Sequence, residues 1–336
     1  VEGGRGEGAP LRGFPVSSVH IIICACASAH LSAAANAQTY PQRPVQFVVA
    51  TAPSGGTDAV GRLIAQKLSE ALAQNVVVDN RPGASGSIGS ALVAKAAPDG
   101  HALLVANVGH IAMNPAIARV PFDTLRDFTP VTILASGPLI LITHPSVPAK
   151  NVRELVALAK ARPGRLNYST GGSGTTSHFG MELFKSVTAT DIVHIPFKGI
   201  APATVSLIAG EVDVMMNTTP PALPQVRAGR LRAIAMASLK RTPFAPEVPT
   251  LAESGMPGFE AGVWYGIMGP AGLSPEIVTR LHQELARIVR LTEVRERLAV
   301  EGVEPVGNTP AEFSAYLRTE MAKYAAIAQK ARIRAD

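Results

Sequence analysis

The sequence predicts an α/β protein whose strands are divided between two sheets, one in each of two lobes. Three observations predict it. From residue 45 onward short β-rich runs alternate with segments of helical period, the pattern of strands joined by helical crossovers. The apolar run at residues 131–143 is long for one strand and suits a chain segment that passes from one lobe to the other. A proline-rich passage at residues 243–257 suits the return connection. The lobes then comprise residues 38–140 with 245–336, and residues 141–244. A single sheet of about ten strands is the alternative arrangement.

The elements follow in order. Residues 45–51 are an apolar strand that runs into a glycine loop. Residues 57–73 place Val60, Leu63, Ile64, Leu68 and Leu72 at helix spacing. Further strands are expected at 76–79, 102–107 and 131–143. Asn151 opens a helix, with Glu154 in the capping-box position. Strands at 166–170, 192–196, 212–216 and 231–237, with helices between them, predict parallel pairing through right-handed crossovers. Ser274-Pro275 and Thr309-Pro310-Ala311-Glu312 begin C-terminal helices that should pack back on the first lobe.

Composition narrows the class. Hydrophobic residues make up 47% of the 336 positions and charged residues only 17%, which excludes a disordered chain. The length suffices for a core in each lobe. Residues 1–37 read as a leader. An apolar stretch at 19–29, too short to span a bilayer, is followed by Ala35-Asn36-Ala37, an A-x-A cleavage site that leaves Gln38 as the new N-terminus. Residues 3–15 lack periodicity, as expected if the reading frame begins upstream of the true start. Both cysteines, Cys24 and Cys26, fall in the leader, so the exported protein has no disulfide, thiol nucleophile or Cys-bound metal. A soluble periplasmic protein is expected. The net charge of +6 is dispersed, with few aromatics and no basic run, which argues against nucleic acid and allows a weak attraction for small anions.

Two loops carry the functional signal. The first is Ala52-Pro53-Ser54-Gly55-Gly56-Thr57-Asp58; the second is Ser169-Thr170-Gly171-Gly172-Ser173-Gly174-Thr175-Thr176-Ser177-His178. Each follows a strand and opens a helix. Glycine lets a ligand approach the main chain, and the helix start offers free N–H groups and the positive end of the dipole. That combination binds carboxylate or phosphate. Asp58 either serves the first helical turn or pairs with a ligand ammonium group.

Asn107-Val108-Gly109-His110 follows a strand and is expected to line the same crevice. Lys198, after another strand, is placed as a ligand ion-pair partner or a solvated lysine. Arg81, in the Asn80-Arg81-Pro82-Gly83 turn, has the same two readings. Neither a dinucleotide fingerprint nor a Walker A sequence is present, and no His pair or HExxH offers a metal site. No cofactor and no metal are expected. Gly171-Gly172-Ser173-Gly174-Thr175 misses the nucleophile-elbow pattern at Thr175, so catalysis has little support.

The order and spacing of several short segments add a family resemblance. They include Pro41-Gln42-Arg43-Pro44, the loop from Ser54 to Asp58 with Arg62, Asn80-Arg81-Pro82-Gly83-Ala84 and Ala97-Pro98-Asp99-Gly100. Leu166-Asn167-Tyr168-Ser169, Thr176-Ser177-His178, Phe197-Lys198-Gly199 and Pro270-Ala271-Gly272 continue the set. From residue 40 to 336 the chain resembles the Bug (TctC-like) receptors of tripartite tricarboxylate transport systems. The resemblance implies a type II periplasmic-binding-protein fold with the ligand in a cleft between lobes. It also implies a carboxylate ligand held by the two glycine loops, and delivery of that ligand to a membrane permease. Delivery to a membrane sensor kinase, or an exported small-molecule enzyme, are the alternatives. A monomer is expected. Three positions depart from the family pattern: Phe197 for Tyr, Ile200 for Gly and Asn217 for Asp. Asn217 stands at a family ligand position, and the three changes together favour an all-anionic or partly apolar ligand.

Overall fold

The apolar run after Pro44 forms β1 (Val45–Val49), the middle of a parallel trio with β2 (Val76–Asn80) and β3 (Ala102–Asn107) in the computed structural model. The structure describes residues 40–334 together with Val1, Gly3, Gly4, Gly6 and Gly8. Apart from those early positions, the expected leader, with Cys24, Cys26 and the Ala35-Asn36-Ala37 triplet, lies outside the described residues.

Helix α1 (Gly56–Leu72) connects β1 to β2 and buries Val60, Ile64, Leu68 and Leu72, the face its periodicity predicts. Helix α2 (Ser87–Ala94) leads to β3. After β3 a wide helical turn at Gly109–Met113 passes into the short α3 (Asn114–Ile117). The long strand β4 (Phe128–Thr143) comes next. Helix α4 (Val152–Ala161), β5 (Asn167–Thr170), α5 (Thr176–Thr188), β6 (Val193–Pro196), α6 (Ile200–Ala209) and β7 (Val214–Thr218) continue the alternation. Helix α7 (Thr219–Arg227), β8 (Arg232–Met236) and β9 (Gly262–Pro270) follow. The chain ends through α8 (Pro275–Ile288), α9 (Thr292–Val300), β10 (Glu304–Pro305) and α10 (Pro310–Ala331).

The expected caps form. Asn151 Oδ1 accepts the Glu154 N–H at 3.0 Å, and Thr309 and Glu312 close a capping box at the start of α10.

Strand β4 is the spine. Its first part, residues 128–138, pairs antiparallel with β9, which in turn pairs with β3. Residues 139–143 change partners and lie between β7 and β8. Strands β5 and β6 extend from β7 in parallel. The ten strands among the described residues are therefore one hydrogen-bonded network that divides into two sheets along a single strand. Two expectations are corrected. The sheets are joined rather than separate, and they are mixed, because β4 and β9 run antiparallel to their neighbours. Strand β9 is absent from the sequence reading.

Separate cores back the two sheets. Trp264, Phe313, Leu104 and Met268 pack behind the first, and Leu139, Tyr168, Phe184 and Met216 behind the second. Helix α10 covers the first sheet and also reaches α5, where Tyr324 meets Phe179 edge-on at 5.2 Å.

At the crossing the backbones come close enough to require glycine. A Cβ on Gly137 would strike Gly302 O, and one on Gly262 would strike Gly137 O. Backbone cannot retreat as a side-chain tip can. The Gly137→Ala variant should lose about 1–3 kcal/mol of stability, the usual cost of overpacking. A fall in the Tm of the purified protein checks this, and an unchanged Tm would show that the crossing strands move apart freely.

Candidate functional site

The first glycine loop is built around a buried carboxylate. Ser54 adopts φ of 69°, and its N–H donates to Asp58 Oδ2 at 3.0 Å. Arg62 Nε donates to the same oxygen at 3.0 Å, and Asn80 Nδ2 to Oδ1 at 2.9 Å. Burial acts to raise the Asp58 carboxyl, but the hydrogen bonds from Arg62, Ser54 and Asn80 outweigh it and hold the group below its ordinary range. Asp58 thus fixes the loop, with its carboxylate oxygens already taken by three donors.

The start of α1 is left open by that arrangement. Gly55 is the N-cap and supplies no side-chain acceptor. The first bond of the helix runs from Ala59 N–H to Gly55 O at 2.9 Å, so the amides of Gly56, Thr57 and Asp58 have no helical acceptor. Beside them Asn107 Nδ2 donates to Thr57 Oγ1 at 2.7 Å. The Asn107 N–H donates to His110 Nε2 at 3.1 Å, and Asn107 Oδ1 accepts the His110 N–H at 3.1 Å. This clamp ties the end of β3 to the first turn of α1.

The second loop is built differently but leaves the same opening. Gly172 and Gly174 have φ of 124° and 72°, conformations that glycine takes without steric cost. Thr175, the N-cap of α5, turns its hydroxyl back to Gly172 O at 2.7 Å and does not cap the helix. Phe179 N–H to Thr175 O, at 3.0 Å, is the first helical bond, so Thr176, Ser177 and His178 keep amides without a helical acceptor. Of the other described helices, α4, α8 and α10 are capped by Asn151, Ser274 and Thr309, and α2, α3, α6, α7 and α9 carry no side-chain cap.

A stacked column supports this loop. His178 and His194 lie 4.0 Å apart between ring centroids, and Tyr168 stacks on His194 at 4.9 Å. His178 Nδ1 accepts the Gly174 N–H at 3.1 Å, and His194 Nε2 meets Thr170 Oγ1 at 2.7 Å. Thr170 Oγ1 in turn accepts the Gly172 N–H at 3.2 Å.

The two openings share one cleft of about 500 Å³. Gly56, Thr57, Asn107 and His110 line it on one side, and Ser173, Gly174, Thr175 and Thr176 on the other. Thr51, Ser85, Asn114 and Tyr265 add polar groups; Val108, Ile117 and Val263 add apolar walls. Among the described residues no Lys, Arg, Asp or Glu lines it. Gly174 admits Ile117 where any larger residue would place its Cβ, so α3 rests directly on the second loop. Among the described residues no cluster of His, Cys, Asp or Glu could hold a metal ion.

Residues 60–333 match the model of the tripartite tricarboxylate transporter family receptor. This chain belongs to that family. BugT of Bordetella pertussis is 36% identical over 310 residues, covering 90% of this chain and 94% of BugT. Among solved structures, R. palustris Rpa4515 with adipate is 35% identical with a TM-score of 0.74, covering 88% of this chain and 99% of that one. MatC of Rhodopseudomonas palustris with bound malate is 32% identical with a TM-score of 0.70, covering 86% and 99%. The receptor therefore has the two-lobed periplasmic-binding-protein fold, and it is a solute-binding protein rather than an enzyme. Among the described residues no helix is long and apolar enough to cross a membrane.

The remaining expected residues of the receptor are placed as follows. Ser54, Gly55 and Asp58 shape the first loop, and Thr170, Gly171 and Gly172 shape the second, without lining the cleft. Lys198 is exposed and stands outside it. Asn217 is fully buried: its amide donates to Thr204 Oγ1 at 3.1 Å and its oxygen accepts the Thr218 N–H at 2.8 Å. The placement of Asn217 at the ligand is thereby corrected, since both ends of its amide are spent on packing. Thr51, Ser85, Asn114 and Tyr265 are polar lining residues that the sequence did not assign to the site. Asn114 had a signal in the Asn-Pro pair, whereas Tyr265 sits in the overlooked strand β9.

His110 yields a pH prediction. Burial pushes its imidazole from the ordinary 6.5 down to about 3. Below 6.5 the unfolded chain takes up a proton that the folded receptor refuses, so this stability is whole above 6.5 and is lost as pH falls toward 3. The steepest loss is about 1.4 kcal/mol per pH unit. The Tm should fall between about pH 6.5 and pH 4.5, and His110→Gln should lose less over that range than wild type. Equal losses would show that His110 is not the responsible group.

Proposed function

We propose that this receptor captures a small organic acid in the periplasm and passes it to a membrane permease of the tripartite tricarboxylate type. One observation carries the reading. Two helix starts, one from each side of the cleft, expose amides that have no helical acceptor, and among the described residues no charged side chain lines the space between them. A helix start of this kind favours an anion by about 0.3–1 kcal/mol when exposed and up to about 2 kcal/mol when partly buried, beyond the hydrogen bonds themselves. The cleft-lining residues of the two loops, with Asn107 and His110, are the proposed ligand contacts. The adipate and malate in the two related structures support a carboxylate as the ligand.

The lobes are assigned to residues 38–140 with 245–336 and to residues 141–244, and β4 supports the boundary by changing partners after Pro138. Closure then turns one lobe against the other about β4 and the passage that leads into β9. The leader at residues 1–37 would direct export, and the receptor would act as a monomer.

A thermal-shift panel of mono-, di- and tricarboxylates, each beside its uncharged amide, tests the reading on residues 38–336. An acid present at about 100 times its Kd should add about 2.7 kcal/mol and raise the Tm by several degrees. The matching amide should have no effect. Equal shifts from acid and amide would contradict recognition of a negative charge.

A further inference from the structure

Tyr265 occupies the middle of β9, opposite Asn107 of β3 on one side and Ala135 of β4 on the other. It therefore belongs to the crossing region and to the cleft at once. Its ring reaches the open start of α1: a Cβ on Gly56 would lie 2.5 Å from the phenolic oxygen and 3.3 Å from Cζ. Glycine at 56 is what admits the phenol. Among the described residues the Tyr265 hydroxyl has no hydrogen-bond partner, although every hydroxyl both donates and accepts.

Glu301 approaches the same point from outside the cleft. It follows α9, and its Oε2 would lie 3.7 Å from a Cβ on Gly56. Burial, with the Glu301 carboxylate beside it, pushes the Tyr265 phenol up to about 12, so the phenol is a neutral donor at any ordinary pH. Glu301 forms no ion pair or hydrogen bond among the described residues. Arg62 shares an outer groove with it but is committed to Asp58 and Asn80; Arg297 lies in the same groove. The first turn of α1 thus has a donor on its cleft side and a fixed negative charge behind it.

We infer that Tyr265 and Glu301 set how many carboxylates the receptor accepts at the α1 end of its cleft. The Tyr265 hydroxyl donates to one carboxylate seated on the Gly56 and Thr57 amides. Glu301 repels a second carboxylate carried beside the first. The ligand class is then an acid with a single carboxylate at each occupied end. Acids that crowd two carboxylates together, as branched tricarboxylates do, are disfavoured. The inference rests on the carboxylate reading above.

Calorimetric titration of residues 38–336 tests it with hexanoate, adipate, malate and tricarballylate. Tyr265→Phe should weaken the tightest-binding of these about tenfold or more, the loss expected of a hydrogen bond to a charged group. Glu301→Gln should strengthen tricarballylate at least about fivefold more than it strengthens hexanoate, because both acids place a first carboxylate near residue 301 and only the crowded acid adds a second. Glu301→Ala repeats the test should the Gln variant fail to fold. Unchanged tricarballylate binding in the folded variant, including binding that stays undetectable, would overturn the inference, as would full affinity in Tyr265→Phe. These failures leave the carboxylate reading standing if wild type binds any of the acids. No binding of any acid to wild type or variants would overturn that reading, and the inference with it.

Discussion

The backbone amides at the starts of α1 and α5 are the constraint around which the receptor is arranged. A helix leaves its first N–H groups without internal acceptors, and most helices satisfy them with a side-chain cap. At the two helices that open onto the cleft no side-chain cap is made. Gly55 has no side chain to offer, and Thr175 turns its hydroxyl away to Gly172 O. Asp58, a carboxylate that might have closed the first opening, is drawn instead to Ser54, Arg62 and Asn80. The protein keeps its own anion out of the place where a ligand anion belongs.

That arrangement depends on support from below each loop. Asn107 and His110 fasten the first turn of α1 to β3, and the imidazole must stay neutral to accept the Asn107 N–H. The Tyr168, His194 and His178 column does the same work under the second loop. Asn107 ends β3, and both glycine loops leave the carboxyl ends of strands, where open α/β sheets place their ligands. Because β4 carries both sheets, the two openings are held by a single continuous strand, with Gly137 and Gly262 where the chains cross. A neutral, donor-rich cleft recognises charge through main-chain groups whose positions the fold sets, not through flexible cationic side chains.

Much of this was legible in the sequence. Glycine and hydroxyl residues between an apolar strand and an amphipathic helix have few other uses at such density, so both loops and eight cleft-lining residues were readable. Strand β9 was not. Gly262, Gly266, Gly269 and Pro270 dilute its β character, and the reason for the glycines lies in residues distant in sequence. A Cβ at Gly266 would meet the Phe313 ring at 2.9 Å, and one on Gly262 would strike Gly137 O. With β9 went Tyr265. Asn217 failed in the opposite direction: its type suggested a ligand contact, but burial and the pairing with Thr204 and Thr218 are tertiary facts. Asp58 remained ambiguous for the same reason, since Asn80 reaches it from another strand.

Amide NMR reads the N–H groups at the two helix starts one by one. Isotope-labelled receptor, residues 38–336, would be titrated with the acid that gives the largest thermal shift. The account predicts that the amides of Gly56, Thr57, Ser177 and His178 move most, downfield as they gain a charged acceptor. Large changes centred on Lys198, Arg81 or the Asn217 region, with the two helix starts unmoved, would contradict it.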